Sequence, residues 1–543
     1  MQRFRLPFNR SHLKFSEHPG LYLRVSGGLA AGLFLFFIFV IVRRAWLSDD
    51  AYITFRTVDN FINGYGLTWN TVERVQAYTH PLWMFMLSLF YFFTHETYFT
   101  SLLLSLLIST TAVALYTFKI ARTPTAALLG LLVLSLSNAF VDYSTSGLEN
   151  PLSHLILMLF WMVYIKTTSG RQQLFWLALL AALGGLCRMD LLLVFLPMLL
   201  LRFWEQRSWK SALALLAGLL PLLLWECFSL VYYGFLFPNT AYAKLNTGIP
   251  TTVMLEQGLR YYADALAYDP LTLLLILGGL LAGLFSRHKW KVFAAFGLLL
   301  YLVYLAFIGG DFMRGRFLTL PLLAALLLAF QDTTWAKHLK PLPYALAVVF
   351  LLLGLLARPA PTFRNGNPGD QPLISDAGIT NERLFYTTMP PGVRGTSLMR
   401  AFEGVSLPDF PWVTEAMEVR SAAEHEPAVI VKEATGVYGF FAGPRVYIID
   451  VFALSDPLLA RLPATQDKAW RSGHFWRSLP AGYLETSRTG KNVIMDSKIA
   501  TLFDRLEMIT RADLFDPQRW IEIWKMNTGQ YDYLVKTSDT YGQ

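Results

Sequence analysis

Residues 46–56 read WLSDDAYITFR, and they follow an apolar run, Leu29 to Val42, that contains no charged residue. A chain that leaves a hydrophobic segment and at once sets Asp49 beside Asp50 needs a reason for the pair. One aspartate suffices to cap a helix, and two adjacent carboxylates repel each other.

Working outward, composition sets the class. Hydrophobic residues make up 54% of the 543 and charged ones 15%, with a mean hydropathy of +0.41. A soluble chain of this length needs a more polar surface, so most of the sequence is expected to face lipid. The long first apolar run lacks a small-residue cleavage site and is followed by further apolar segments, so it reads as a retained span and not a cleaved signal. The two cysteines, Cys187 and Cys227, lie in apolar runs, which leaves neither a disulfide framework nor a thiolate metal cluster.

Apolar segments fall near 25–47, 99–118, 124–141, 152–166, 173–187, 190–204, 211–233, 270–286, 292–309, 316–332 and 342–357. Several are shorter than the roughly 20 residues of a spanning helix and must extend into their flanks. With the basic N-terminus (Arg3, Arg5, Arg10, Lys14, Arg24) inside and Pro81 to Phe93 lying along the surface, the short basic turns at Lys119/Arg122, Lys166/Arg171, Arg202/Arg207/Lys210, Arg287–Lys291 and Lys337/Lys340 share the cytoplasmic side. Arg43 and Arg44 are the exception. The expected architecture is an α-helical polytopic membrane protein of about eleven spans (residues 1–358), followed by a more charged, extracytoplasmic α+β domain (residues 359–543). That tail holds strand-like pieces such as PAVIVK and RVYIIDVF.

The same topology gathers the polar loops on the outer face. The first is dense in them, with Asp49, Asp50, Arg56, Asn60, Asn70, Glu73 and His80 set between aromatics. An interfacial helix with a solvated polar face is the plain reading of this loop. The chemical one is that desolvation and like charge raise the pKa of an aspartate, so that it takes a proton from a hydroxyl or, paired, holds a divalent ion. Glu149 in TSGLENPL either favours a helix N-terminus or faces the same cavity. Outer cations run against the positive-inside trend, so Arg188, Lys244, Arg314 and Arg316 need anionic partners. These are either Asp190, Asp311 and Glu149 or a phosphate, which arginine grips in bidentate fashion and lysine as a point charge. No P-loop, dinucleotide fingerprint, HExxH or nucleophile elbow is present, so neither nucleotide nor nucleic acid is expected as a partner. An acid base, a phosphate clamp and a lipid-bordered outer cavity fit a transferase with a lipid-phosphate-activated donor.

DDAYITFR (49–56), ERVQAYTHPLW (73–83), SGLENPL (146–152), FPNTAYAK (237–244) and GGDFMRGR (309–316) together resemble the polytopic glycosyltransferases of the GT-C fold. They look most like the terminal β-(1→2)-arabinofuranosyltransferases of the actinobacterial cell wall. ATGVYGFFAGPRVYIIDVFALSDPLLARLP (434–463) and SGHFWRSLPAGY (472–483) are similar to that family's outer domain. The resemblance implies a polyprenyl-phosphate sugar, arabinofuranose above all, as donor. It implies a cell-surface glycan or glycoprotein hydroxyl as acceptor, at the outer face of a bacterial cytoplasmic membrane. It puts Asp49 or Asp50 at the reaction centre, makes HPLW the start of a juxtamembrane helix, places Asn239 at the substrate cavity, and sets Asp450, Asp456, His474 and Arg477 near the cavity roof. The aspartate serves as base if the anomeric centre inverts. If configuration is retained, it serves as nucleophile or counter-charge. The rival readings are a mannose, other hexose or aminosugar donor, a polysaccharide polymerase or ligase, and a transporter. The last is disfavoured because no inverted repeat is visible.

Overall fold

The computed structural model describes residues 19–166, 170–331, 338–358, 362, 373–388, 395–404, 407–465 and 470–535. The basic N-terminal residues Arg3 to Lys14, Lys337 and the expected boundary at 359–361 lie outside these, as do the side chains of Arg24 and Lys166. Each of the eleven apolar segments is helical, from Pro19–Arg43 through Leu342–Leu355. Capping explains several starts. Ser48 accepts from Ala51 N–H, and Thr123, ahead of Pro124, accepts from Ala126 N–H.

Among the described residues, four helices are long and apolar enough to cross a membrane on their own: Ser26–Arg43, Tyr98–Ile120, Trp209–Tyr232 and Lys289–Phe307. Thr251–Tyr268 and Pro270–Leu284 pass the same test together but are bent by 115°. The shorter apolar helices, including Pro81–Thr94, pack around them. Thr319–Phe330 is buried along nearly its whole length and lies against Pro270–Leu284. Small residues permit such approaches. A Cβ on Gly218 would stand 2.5 Å from the Phe175 carbonyl, so only glycine lets Trp209–Tyr232 close on Arg171–Cys187. The protein is thus mostly helical, with several membrane-spanning-capable helices.

The tail carries the two strands that its sequence suggests. β1 (Ala428–Lys432) and β2 (Val446–Asp450) pair in parallel, joined through the helix Gly436–Ala442. This unit is packed onto the helical part. Tyr438 and Ile448 share a core with Ile53, Trp69 and Ala77 of the first polar loop, and Ile449 shares another with Phe235 and Ala243. Arg74 donates to the Ala512 carbonyl from its guanidinium and to the Thr510 carbonyl from its backbone N–H. The tail therefore roofs the loops in which the polar residues lie.

Candidate functional site

The helix Asp49–Ile62 aims its two leading carboxylates in different directions. Asp49 is buried and turned toward the tail, where its oxygens accept Gly436 N–H at 3.1 Å and Val437 N–H at 2.8 Å. A Cβ on Gly436 would fall 2.0 Å from the Asp49 carbonyl oxygen, so glycine is required at that contact. Burial raises the Asp49 pKa to about 6, against the Val437 hydrogen bond and with help from Asp50. Asp50 is more open. Its Oδ2 lies 3.8 Å from Arg316 Nη1, and its side chain is 24% exposed. Burial also raises its pKa, while Arg316 and Lys244 pull it back and Glu149 adds to the rise.

Behind Asp50 stands a hub centred on the fully buried Glu149. Glu149 meets Arg316 Nη2 at 3.2 and 3.3 Å, Arg188 Nη1 at 3.4 Å and His80 Nδ1 at 3.3 Å. Burial opposes the Glu149 charge, yet Arg316, His80 and Arg188 outweigh it and hold the carboxyl at about 2. Burial, and then the two arginines, press His80 down to about 4 despite Glu149. A neutral His80 donates from Nδ1 to Glu149 and accepts at Nε2 from Thr54 Oγ1, 2.8 Å away. Arg188 is further tied to Asp190 by two hydrogen bonds, of 3.0 and 2.5 Å, and lies 3.7 Å above the Phe317 ring.

In front of the hub opens a cavity of about 440 Å³, walled by Arg188, Asp190, Lys244, Asp311, Arg316 and Ser472 among others. Lys244 comes from the short helix Asn239–Leu245. Among the described residues its ammonium has neither an ion pair nor a hydrogen bond, and burial lowers its pKa against the pull of Asp311 and Asp50. Asp311 leaves one buried oxygen without a hydrogen bond. The same cavity includes Phe237, Leu245, Tyr304 and Phe307, all exposed to the outside. A charged chamber thus opens through an apolar mouth. Among the described residues no three His, Cys, Asp or Glu side chains are grouped to hold a metal ion.

Other residues singled out in the sequence lie elsewhere. Arg314 is turned away from the cavity, bound to Asp264 at 2.7 and 3.0 Å and laid on the Tyr268 ring, because the turn at Gly315 sends consecutive arginines to opposite sides. Arg56 donates to the carbonyls of Trp69, Gly439 and Val446. Asn60 serves the Thr68 and Trp69 carbonyls, and Asn70 pairs with both backbone groups of Ile448. Glu73 holds Tyr447 and Arg511, while Asn239 donates to three carbonyls between Ala453 and Asp456. Arg477 donates to the Leu462, Phe475 and Ala243 carbonyls. Asp450 closes the turn to Ser455, and Asp456 accepts from Leu459 N–H and Tyr483. These side chains hold the roof onto the loops. His474 is nearer the cavity, edge-on to Phe312 at 4.1 Å and beside Gly473 of the wall. The apolar mouth and the Arg314 partner Asp264 escaped the sequence reading. Phe237 did stand inside the quoted motif FPNTAYAK, where its polar neighbours drew the attention.

Residues 79–232, which carry His80, Glu149 and Arg188, match the family described as Dolichyl-phosphate-mannose-protein mannosyltransferase. Over 358 aligned positions, 55% of this chain and 49% of the relative, the sequence is 30% identical to a terminal beta-(1->2)-arabinofuranosyltransferase of Corynebacterium glutamicum. The chain is similar to arabinofuranosyltransferases. A second relative of that name, from Mycobacterium tuberculosis, is 28% identical over 330 positions, covering 52% of each chain. The chain spans about half the length of the curated relatives it matches.

Proposed function

We propose that the protein is a membrane glycosyltransferase. In this reading it moves a sugar, D-arabinofuranose, from a polyprenyl phosphate to a hydroxyl of a cell-surface glycan or glycoprotein. The observation that carries it is a cavity with an apolar mouth, walled by Arg188, Arg316 and a Lys244 without a partner among the described residues, with Asp50 3.8 Å from the wall residue Arg316. The lipid enters past Phe237 and Phe307, and its phosphate takes Lys244 as counter-ion, with Arg316 and Arg188 beside it. These cations stabilise the charge that develops on the departing phosphate. Arg188 and Arg316 already neutralise Asp190 and Glu149, so Lys244 supplies the cation that the resting site leaves over.

Asp50 then faces the anomeric carbon. If the centre inverts, its carboxylate removes the acceptor proton. If it is retained, the carboxylate attacks or stabilises an oxocarbenium-like centre. Proton NMR of the product's anomeric linkage separates the two. Residues 1–358 form the catalytic membrane module, and residues 359–543 its extracytoplasmic roof. The N-terminus lies in the cytoplasm and eleven helices cross the inner membrane. Support comes from the side on which the basic turns fall and from the similarity to arabinofuranosyltransferases.

The test is transfer from radiolabelled polyprenyl-phosphoarabinose, with polyprenyl-phosphomannose in parallel, in membranes holding the full chain. Label should pass from the arabinose lipid to acceptor and be lost in Asp50→Asn. Transfer from neither lipid, or full transfer by Asp50→Asn, would overturn the reading.

A further inference from the structure

The segment Trp470 to Phe475 is a partition with a cavity on each side. Ser472, Gly473 and Phe475 line the donor chamber, while Trp470 and Arg471 line a separate open groove of about 330 Å³. The helix Thr251–Tyr268 divides in the same way. Met254 faces the chamber, whereas Val253, Glu256, Gln257 and Arg260, spaced as one helical stripe, face the groove. The far bank is the turn 374–378, where Gly378, at φ +71°, leaves room for the Arg471 side chain to lie across it.

The lining has a definite chemistry. Trp470 is half-buried, packed at 5.4 Å on Phe475 of the partition, and so is a firm aromatic surface. Glu256 and Arg260 form an exposed pair at 2.6 Å. Gln257 is fixed by the Ala377 carbonyl at 2.8 Å, and Arg471 leans on Thr380 at 3.4 Å. Asp376 completes the rim. An aromatic platform ringed by carboxylate, guanidinium and amide groups matches a ligand with C–H faces and many hydroxyls. The ring face covers the aromatic, and the hydroxyls donate to carboxylates or accept from Arg and Gln. Four charged side chains, Glu256, Arg260, Asp376 and Arg471, line the groove, which suits a sugar chain better than a lipid tail. Its volume falls in the range of roughly 300–1,000 Å³ usual for ligand sites.

We propose that this groove is a saccharide subsite, which holds the acceptor chain behind its reacting end while the donor lies across the partition. The assignment deepens the proposed function and rests on it for the word acceptor. The binding of a saccharide does not rest on it.

The experiment therefore measures binding and transfer separately, on the full chain in nanodiscs. Oligo-arabinofuranosides and oligomannosides of one to four units are titrated by calorimetry without donor, into the unsubstituted protein and into Trp470→Ala, Trp470→Phe, Asp376→Asn and Lys244→Ala. Affinity for one of the two series should rise with length. Trp470→Ala should weaken the tetramer about tenfold, Trp470→Phe should restore it, and Lys244→Ala should leave it unchanged. In transfer assays Trp470→Ala should raise the acceptor KM and leave the donor KM alone. Binding of neither series, or equal tetramer affinity in Trp470→Ala, overturns the subsite. Groove-dependent binding in a protein that transfers no sugar upholds the subsite and overturns the proposed reaction instead.

Discussion

Arg316 stands 3.8 Å from Asp50 through one amino group while its other amino group holds both oxygens of Glu149 within 3.3 Å. One guanidinium therefore joins the buried hub to the carboxylate at the chamber. The charge that shapes Asp50 is fixed from behind by a partner with little freedom to move. In such a site, substitutions at neighbouring residues should separate into those that remove chemistry and those that loosen the frame.

The aspartate pair gives the first separation. Asp50→Asn keeps the shape but removes the base or nucleophile, and transfer should fall by about 10²–10⁴-fold with thermal stability near that of the parent. Asp49→Asn turns an amide toward the Gly436 and Val437 N–H groups, which need an acceptor. It should lower the unfolding temperature and leave most of the transfer rate per folded molecule. Equal loss of rate in both would show that the two carboxylates act together.

Two cations from neighbouring motifs should separate as well. Lys244→Ala removes the cation that has no partner among the described residues, and the donor KM should rise by about tenfold or more, as the loss of one charge-assisted contact implies. Arg314→Ala strands Asp264, and breaking such a buried pair costs about 3–5 kcal/mol, so stability should fall while donor KM holds. A donor KM that moves in Arg314→Ala alone would reverse the assignment. Kinetics and thermal unfolding on the same preparations decide it.

The apolar segments could be read from the sequence because lipid-facing helices impose a long hydrophobic run, and each expected segment is helical. The strands at Ala428–Lys432 and Val446–Asp450 were legible for a similar reason, since β-branched residues cluster there. What each polar residue does was less legible. Arg56, Asn60, Asn70, Asn239 and Arg477 all bind backbone carbonyls, and a carbonyl has no sequence signature. Arg314 and Arg316 share one motif, yet a left-handed glycine between them sends one to Asp264 and the other to Glu149. Asp49 and Asp50 are likewise adjacent, and only the packing of the tail distinguishes them.

Acid should weaken the hub in two successive windows. The folded His80 pKa, about 4, lies below the ordinary value near 6.5, so the unfolded chain binds more protons between them. Stability is then full above pH 6.5 and falls as pH drops toward 4, by up to about 3 kcal/mol. The Glu149 value, about 2 against 4.5, adds a second loss between pH 4.5 and 2. His80→Gln, whose amide can still donate to Glu149, should remove the first loss and keep the second. Unfolding midpoints of the two proteins, measured across pH 4–7, should converge as pH falls. Parallel curves would show that His80 takes up its proton alike in the folded and unfolded chain, with its pKa unshifted.

The attachment of the roof gives the last prediction. Arg56 lies 4.3 Å over the Trp69 ring and donates to the carbonyls of Trp69, Gly439 and Val446, so a single side chain ties the first polar loop to both the connecting helix and β2. Lysine is as cationic but cannot span three carbonyls or stack in the same way. Buried acceptors left unpaired cost about 1–3 kcal/mol each. Arg56→Lys should therefore speed hydrogen exchange across 436–450 and leave Arg171–Cys187, deep in the helical part, as slow as before. Because the Gly436 and Val437 N–H groups also donate to Asp49, the unfolding temperature should fall along with protection, while most of the transfer rate per folded molecule remains, since Arg56 touches no part of the chamber. Unchanged exchange over 436–450 would mean that the shared apolar cores alone seat the roof, and that the arginine clamp is incidental to it.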